Sequence, residues 1–161
     1  MTAAPILLLL HGPNLNLLGQ REPHIYGTAT LDDYVEQVRA DAAERGWEVE
    51  AVQSNTEGVL IDAIHAARNR CAAILVNPGA FTHYAWAIHD ALAAFDGLKV
   101  EVHLSNPNAR EAWRHTSVVS PVATGAITLV CRHGSRAFGL EMCTSTIGPS
   151  NAASASWMAQ A

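Results

Sequence analysis

Four short polar stretches of the chain carry residue types able to do acid–base chemistry. The most informative is Glu101-Val102-His103-Leu104-Ser105-Asn106. In a strand, alternate side chains share a face, so Glu101, His103 and Ser105 lie on one side and Val100, Val102 and Leu104 on the other. Residues two apart sit roughly 6.6–6.8 Å apart along the backbone, within reach of a Glu–His hydrogen bond. Such a bond fixes the imidazole tautomer and suits a general acid; the other reading is a buried pair that merely satisfies itself. Arg110 and Arg114 follow, four residues apart, and would share one face of a helix. They are either a solvated face or a clamp for an anionic or hydroxylated ligand. Arg21 and Tyr26 lie in the long connection of residues 11–28. A free tyrosine is only about 0.1% ionised at pH 7, but a nearby arginine favours the phenolate, which is a base. The other reading of Tyr26 is an aromatic packed on the loop rim. His83 and Asp90 are two helical turns apart and could face one way. A metal would need a tighter constellation such as H-E-x-x-H, which is absent, so no metal is expected.

These residues need a scaffold, and the apolar pattern supplies one. Ile6–Leu10 is wholly apolar, as a strand covered on both faces should be. Thr30 with Asp33 reads as a capping box that opens a helix with the stripe Leu31, Tyr34, Val35 and Val38; Gly46 is its stop. Trp47–Val52 alternates and reads as an edge strand. A second helix carries Val59, Leu60, Ile61 and Ile64, and Cys71–Val76 is a third strand. A third helix spans about Tyr84–Ala94, and Lys99–Leu104 is the fourth strand. A short helix near Arg110–Arg114 and a fifth strand near Gly125–Leu129 complete the series. Alternating strands and helices predict an α/β fold, a flavodoxin-like three-layer sandwich around a five-stranded parallel sheet. In such sheets ligands bind beyond the carboxyl ends of the strands. All four polar stretches fall there: residues 11–28 after strand one, Gln53-Ser54-Asn55-Thr56-Glu57-Gly58 after strand two, Asn77-Pro78-Gly79-Ala80 with Thr82-His83 after strand three, and the end of strand four.

The 161 residues fit one domain, read as residues 1–143, with a Ser/Ala-rich tail over 144–161 expected to be poorly ordered. Ten basic against 15 acidic residues give a formal net charge of −5, which disfavours a nucleic-acid partner. The run Ile6–Leu10 is far shorter than a membrane span and has no basic leader, so no membrane association and a cytoplasmic location are expected. Cys71, Cys131 and Cys143 are scattered, as small hydrophobes in a reducing compartment would be. Only Lys99 is a lysine, and it stands at the start of strand four instead of following a strand, so imine chemistry has little to work with.

Together the motifs resemble the type II 3-dehydroquinate dehydratase family. The carriers are Gly12-Pro13-Asn14-Leu15-Asn16-Leu17-Leu18-Gly19 with Arg21-Glu22-Pro23 and Tyr26-Gly27; Gln53-Ser54-Asn55 with Glu57-Gly58; Asn77-Pro78-Gly79-Ala80 with Thr82-His83; and Glu101 to Asn106 with Arg110-Glu111 and Arg114-His115. The resemblance spans about Leu7 to Thr128. It implies anti elimination of water from 3-dehydroquinate to 3-dehydroshikimate, no cofactor, and a homododecamer built as a tetramer of trimers. Tyr26 would take the C2 proton, assisted by Arg21 and Arg110. Asn14 and Asn77 would stabilise the enolate, and His103, oriented by Glu101, would protonate the leaving hydroxyl. The Leu104 backbone and Ser105 would hold the carboxylate; Arg114, His83 and Asp90 from a neighbouring subunit would hold ring hydroxyls. From Leu129 onward the chain departs from the family pattern of a Gly-rich turn and a tyrosine before the last helix. Other flavodoxin-like functions fit less well. A flavin site needs a Ser/Thr-rich phosphate loop where Gly12–Gly19 stands, and a phospho-receiver needs an aspartate where Asn77 stands.

Overall fold

The computed structural model describes residues 3–21 and 26–128. Strands β1 (Ile6–His11), β2 (Glu48–Gln53), β3 (Ala73–Asn77), β4 (Leu98–His103) and β5 (Gly125–Thr128) form one sheet in the order β2-β1-β3-β4-β5. Every pairing is parallel. Helices α1 (Leu31–Ala43), α2 (Glu57–Ala67) and α3 (Trp86–Ala93) make the crossovers. The β1-to-β2 step runs one way along the sheet and the later steps run the other. Right-handed crossovers therefore put α1 on one face and α2 and α3 on the opposite one. This is the expected flavodoxin-like architecture, with its topological switch between β1 and β3.

The main core lies under α2 and α3. Leu8, Leu10, Ile74 and Val76 from the sheet meet Leu60 and Ile64 from α2 and Ile88 and Leu92 from α3, all buried. Cys71 is buried in the same cluster; Cys131, Cys143 and the 144–161 tail lie outside the described residues. The α1 start is as the sequence predicts: the Thr30 hydroxyl accepts from Asp33 N–H at 3.2 Å, and Thr30 N–H donates to the Asp33 carboxylate at 2.8 Å. Gly46 adopts φ +72° just past the helix, where a side chain would be strained. Among the described residues no helix is long and apolar enough to cross a membrane.

Two local expectations need correction. The third helix starts at Trp86, not Tyr84, because Gly79–His83 forms a 3₁₀ turn and Tyr84 (φ −156°) and Ala85 (ψ 78°) leave helical geometry. His83 and Asp90 therefore do not share a helix face. The helix expected near Arg110–Arg114 is two 3₁₀ turns, Pro107–Ala109 and Ala112–Arg114, with Arg110 extended between them (φ −111°, ψ −166°). Pro107 and the Asn106 side chain, which accepts from Asn108 N–H at 3.0 Å, favour a short turn over a helix.

His11 ends β1 with both ring nitrogens buried and without a hydrogen-bond partner. Burial pushes its pKa down to about 4 from 6.5. The folded state thus prefers neutral His11, whereas the unfolded chain protonates it below pH 6.5. Stability is full above pH 6.5 and falls as the pH drops toward 4, by roughly 3 kcal/mol in total. Urea unfolding of the wild type and His11→Met at pH 7.5 and 5 should show a smaller pH-dependent loss in the variant. Equal losses would exclude His11 as the cause.

Candidate active site

The loops leaving β1 and β3 lock together at the switch point. Gly12 N–H donates to the Asn77 carbonyl at 2.8 Å. The Gln53 amide donates to the Gly12 carbonyl and to Asn55 Oδ1, each at 3.3 Å. Asn55 Oδ1 also accepts from Asn14 N–H at 2.9 Å. Asn14 sits in the left-handed region (φ 66°), which asparagine tolerates better than most side chains, and it starts the 3₁₀ turn Leu15–Leu17. Asn77, 8% exposed, accepts from Gly79 N–H through Oδ1 at 3.3 Å. The motif asparagines are thus fixed by backbone contacts between neighbouring strand ends.

These loops, the end of β4 and the two 3₁₀ turns beyond it enclose one cleft of about 150 Å³. Of the sequence-predicted site residues, Asn14, Arg21, Tyr26, Asn77, His83, His103, Leu104, Ser105, Arg110 and Arg114 line it. Among the described residues no aspartate or glutamate lines it, while three arginines do, so the cleft suits an anion. Arg110 Nη1 donates to the Tyr26 phenolic oxygen at 3.2 Å. Although Arg110 and Arg114 do not share a helix, they converge. The Glu111 carboxylate lies 2.7 Å from Arg114 Nε and 3.6 Å from Arg110 Nε.

Glu101 stands behind the cleft wall. It is fully buried, yet Oε1 is 2.9 Å from His103 Nε2, as the strand alternation predicts. Burial by itself would push the Glu101 carboxyl up. The hydrogen bond and charge of His103, with the hydroxyls of Ser120 and Thr82, outweigh it and hold the carboxyl below its ordinary range. Asp90 lies outside the cleft of its own chain, exposed on α3.

Ser117, Ser120 and Trp113 stand in none of the motifs, and the motif residue Thr82 gives no hint there of its partner Glu101. Thr82, Ser117 and Ser120 reach Glu101 from 16 to 19 residues away. Only the sheet arrangement brings them together. Trp113 is 59% exposed, yet it lines the cleft. Its ring meets the His83 imidazole edge-on at 5.2 Å and lies under the Arg114 guanidinium at 4.1 Å. His83 Nδ1 is also 2.9 Å from the Thr116 carbonyl. The i to i+1 adjacency of an aromatic and a cleft arginine is the one cue that would have flagged Trp113.

A family model described as dehydroquinase class II matches residues 5–143. The chain is 58% identical over 121 residues to "3-dehydroquinate dehydratase 1" of Corynebacterium efficiens, covering 75% of this chain and 80% of that protein. It is 54% identical over 123 residues to "Catabolic 3-dehydroquinase 2" of Aspergillus flavus, covering 76% and 82% respectively. The crystal structure of a type II dehydroquinase from Butyrivibrio crossotus matches with a TM-score of 0.76 at 45% identity, over 79% of this chain and 89% of that one. With the matched model spanning most of the chain, and relatives at this level of identity covered over four-fifths of their length, the chain belongs to the class II dehydroquinase family.

Proposed function

We propose that this chain dehydrates 3-dehydroquinate by acid–base catalysis, with Tyr26 as base and His103 as acid. Family membership and the identity with curated 3-dehydroquinate dehydratases support the activity, that of a hydro-lyase. The observation that carries the mechanism is the placing of two differently supported groups on one cleft: a phenol beside a guanidinium, and an imidazole beside a buried carboxylate. Tyr26, as phenolate, removes the C2 proton next to the ketone. Arg110, with Arg21 also lining the cleft, compensates the phenolate charge. The C–H electron pair moves into an enolate, toward which Asn14 and Asn77 present their amides. The enolate then collapses to a C1=C2 double bond, the C1–O bond breaks, and His103 donates the proton that lets the hydroxyl leave as water. Removal from opposite faces of the ring makes the elimination anti.

The remaining cleft groups position the substrate. The Leu104 backbone and Ser105 hold its carboxylate, and Arg114 and His83 hold ring hydroxyls. Asp90, exposed on α3, completes the site of a neighbouring copy in a homododecamer arranged as a tetramer of trimers. Lys99 takes no part. It lies at the amino end of β4, with its ammonium donating to the Phe95 carbonyl at 2.5 Å. Borohydride added with substrate should leave the enzyme active; covalent labelling of Lys99 would overturn the enolate route.

Trp113 makes the Arg114 and His83 assignments testable. Stacking of this kind contributes about 1 kcal/mol. Trp113→Leu should therefore raise KM by roughly 5–10-fold with kcat within about 3-fold, and Trp113→Phe should stay near wild type. Unchanged steady-state kinetics in Trp113→Leu would remove the indole from the binding wall.

A further inference from the structure

The hydroxyls around Glu101 permit a proton count. Ser117 Oγ lies 3.0 Å from Val119 N and 2.9 Å from Ser120 N, and backbone N–H groups only donate. Both lone pairs of that hydroxyl are thus filled, and its single hydrogen is left for Glu101, whose oxygens lie at 2.9 and 3.0 Å. Thr82 Oγ1 is 2.8 Å from Ser117 Oγ, but no acceptor site remains there, so its hydrogen goes to Glu101 Oε1 at 2.5 Å. The Ser120 hydroxyl donates to Oε2. Three hydroxyl hydrogens therefore converge on one fully buried carboxylate, which has about four acceptor directions. The fourth partner is His103 Nε2 at 2.9 Å.

We propose that Ser117, with Thr82 and Ser120, acts as a positioning residue that keeps Glu101 an acceptor on all sides and so fixes which nitrogen of His103 delivers the proton. Facing an anion already supplied with hydroxyl donors, Nε2 must carry hydrogen. Nδ1 is then the nitrogen available to the cleft, and it hands its proton to the leaving hydroxyl and regains one afterwards. The neutral ring is the Nε2–H tautomer. This rests on the reading of His103 as the general acid, but the tautomer is a property of the ligand-free protein and can be measured without turnover.

Nitrogen-15 NMR of the ligand-free enzyme through a pH series, with His103 identified from its loss in His103→Asn, should show Nε2 keeping its hydrogen throughout and Nδ1 as the nitrogen that loses one. An Nδ1–H ring in the wild type would overturn the proposal. Ser120→Ala removes one hydroxyl donor without stranding a backbone amide, and Ser117→Ala removes the hub. By withdrawing a donor from the Glu101 charge, both should let the carboxyl take the Nε2 proton and so admit the Nδ1–H ring, lowering kcat by about 10–100-fold with KM within about 3-fold, whereas Ser117→Thr should restore both. If Ser117→Ala fails to fold, Ser120→Ala carries the test. Loss of thermal stability with kcat and tautomer intact would mean that the hydroxyls only hold the loop. An undiminished kcat in His103→Asn would remove the general acid yet leave the tautomer assignment standing.

Discussion

Tyr26→Phe should lower kcat by about 10³-fold while leaving substrate or inhibitor affinity within about 3-fold, since base catalysis is worth roughly 10²–10⁴-fold. The change deletes one oxygen and keeps the ring that lines the cleft. The deleted oxygen is the one that accepts from Arg110 at 3.2 Å. Little binding should be lost, because the proposed carboxylate and hydroxyl contacts are assigned to other residues. Steady-state kinetics with direct binding by calorimetry separate the two effects. Normal turnover would refute the base assignment; lost binding with unchanged kcat would make Tyr26 a binding residue.

Gly12→Ala should damage the fold at the site. A Cβ on Gly12 would stand 2.1 Å from the Pro78 carbonyl oxygen and 2.5 Å from its carbon. Both are backbone atoms, so no side chain can move aside. The β1 and β3 exits would have to separate, losing the Gly12-to-Asn77 hydrogen bond that ties the two loops together. Overpacking of this kind costs about 3 kcal/mol or more, enough to lower Tm by roughly 10 °C in a domain of this size, and kcat/KM should fall with it. Gly58→Ala is the control: it lies in α2 with nothing within 4 Å of an added Cβ. Calorimetric melting of the pair checks the contrast. A Gly12→Ala protein as stable as Gly58→Ala would show that the two loops are not held as described.

Strands were legible where burial on both faces left no alternative to a run such as Ile6–Leu10, and the α1 start was legible because the Thr30–Asp33 capping box is local chemistry. The Glu101–His103 contact could be read from strand alternation alone. What depends on approach between distant segments could not. The hydroxyls of Thr82, Ser117 and Ser120 have meaning only once β4 lies beside their loops. Arg110 and Arg114 line one cleft without the shared helix that their spacing suggests, since Pro107 and the Asn106 side chain favour short turns there. The spacing of His83 and Asp90 allows a shared helix face, but Tyr84 and Ala85 leave helical geometry and the helix starts only at Trp86.

The most direct test is to incubate the purified chain with 3-dehydroquinate and follow ultraviolet absorbance. Dehydration creates a double bond conjugated with the ketone, so a rising enone band should appear with the wild type and be nearly absent with Tyr26→Phe. No enone band at micromolar wild-type enzyme would contradict the assignment of this cleft to 3-dehydroquinate dehydration.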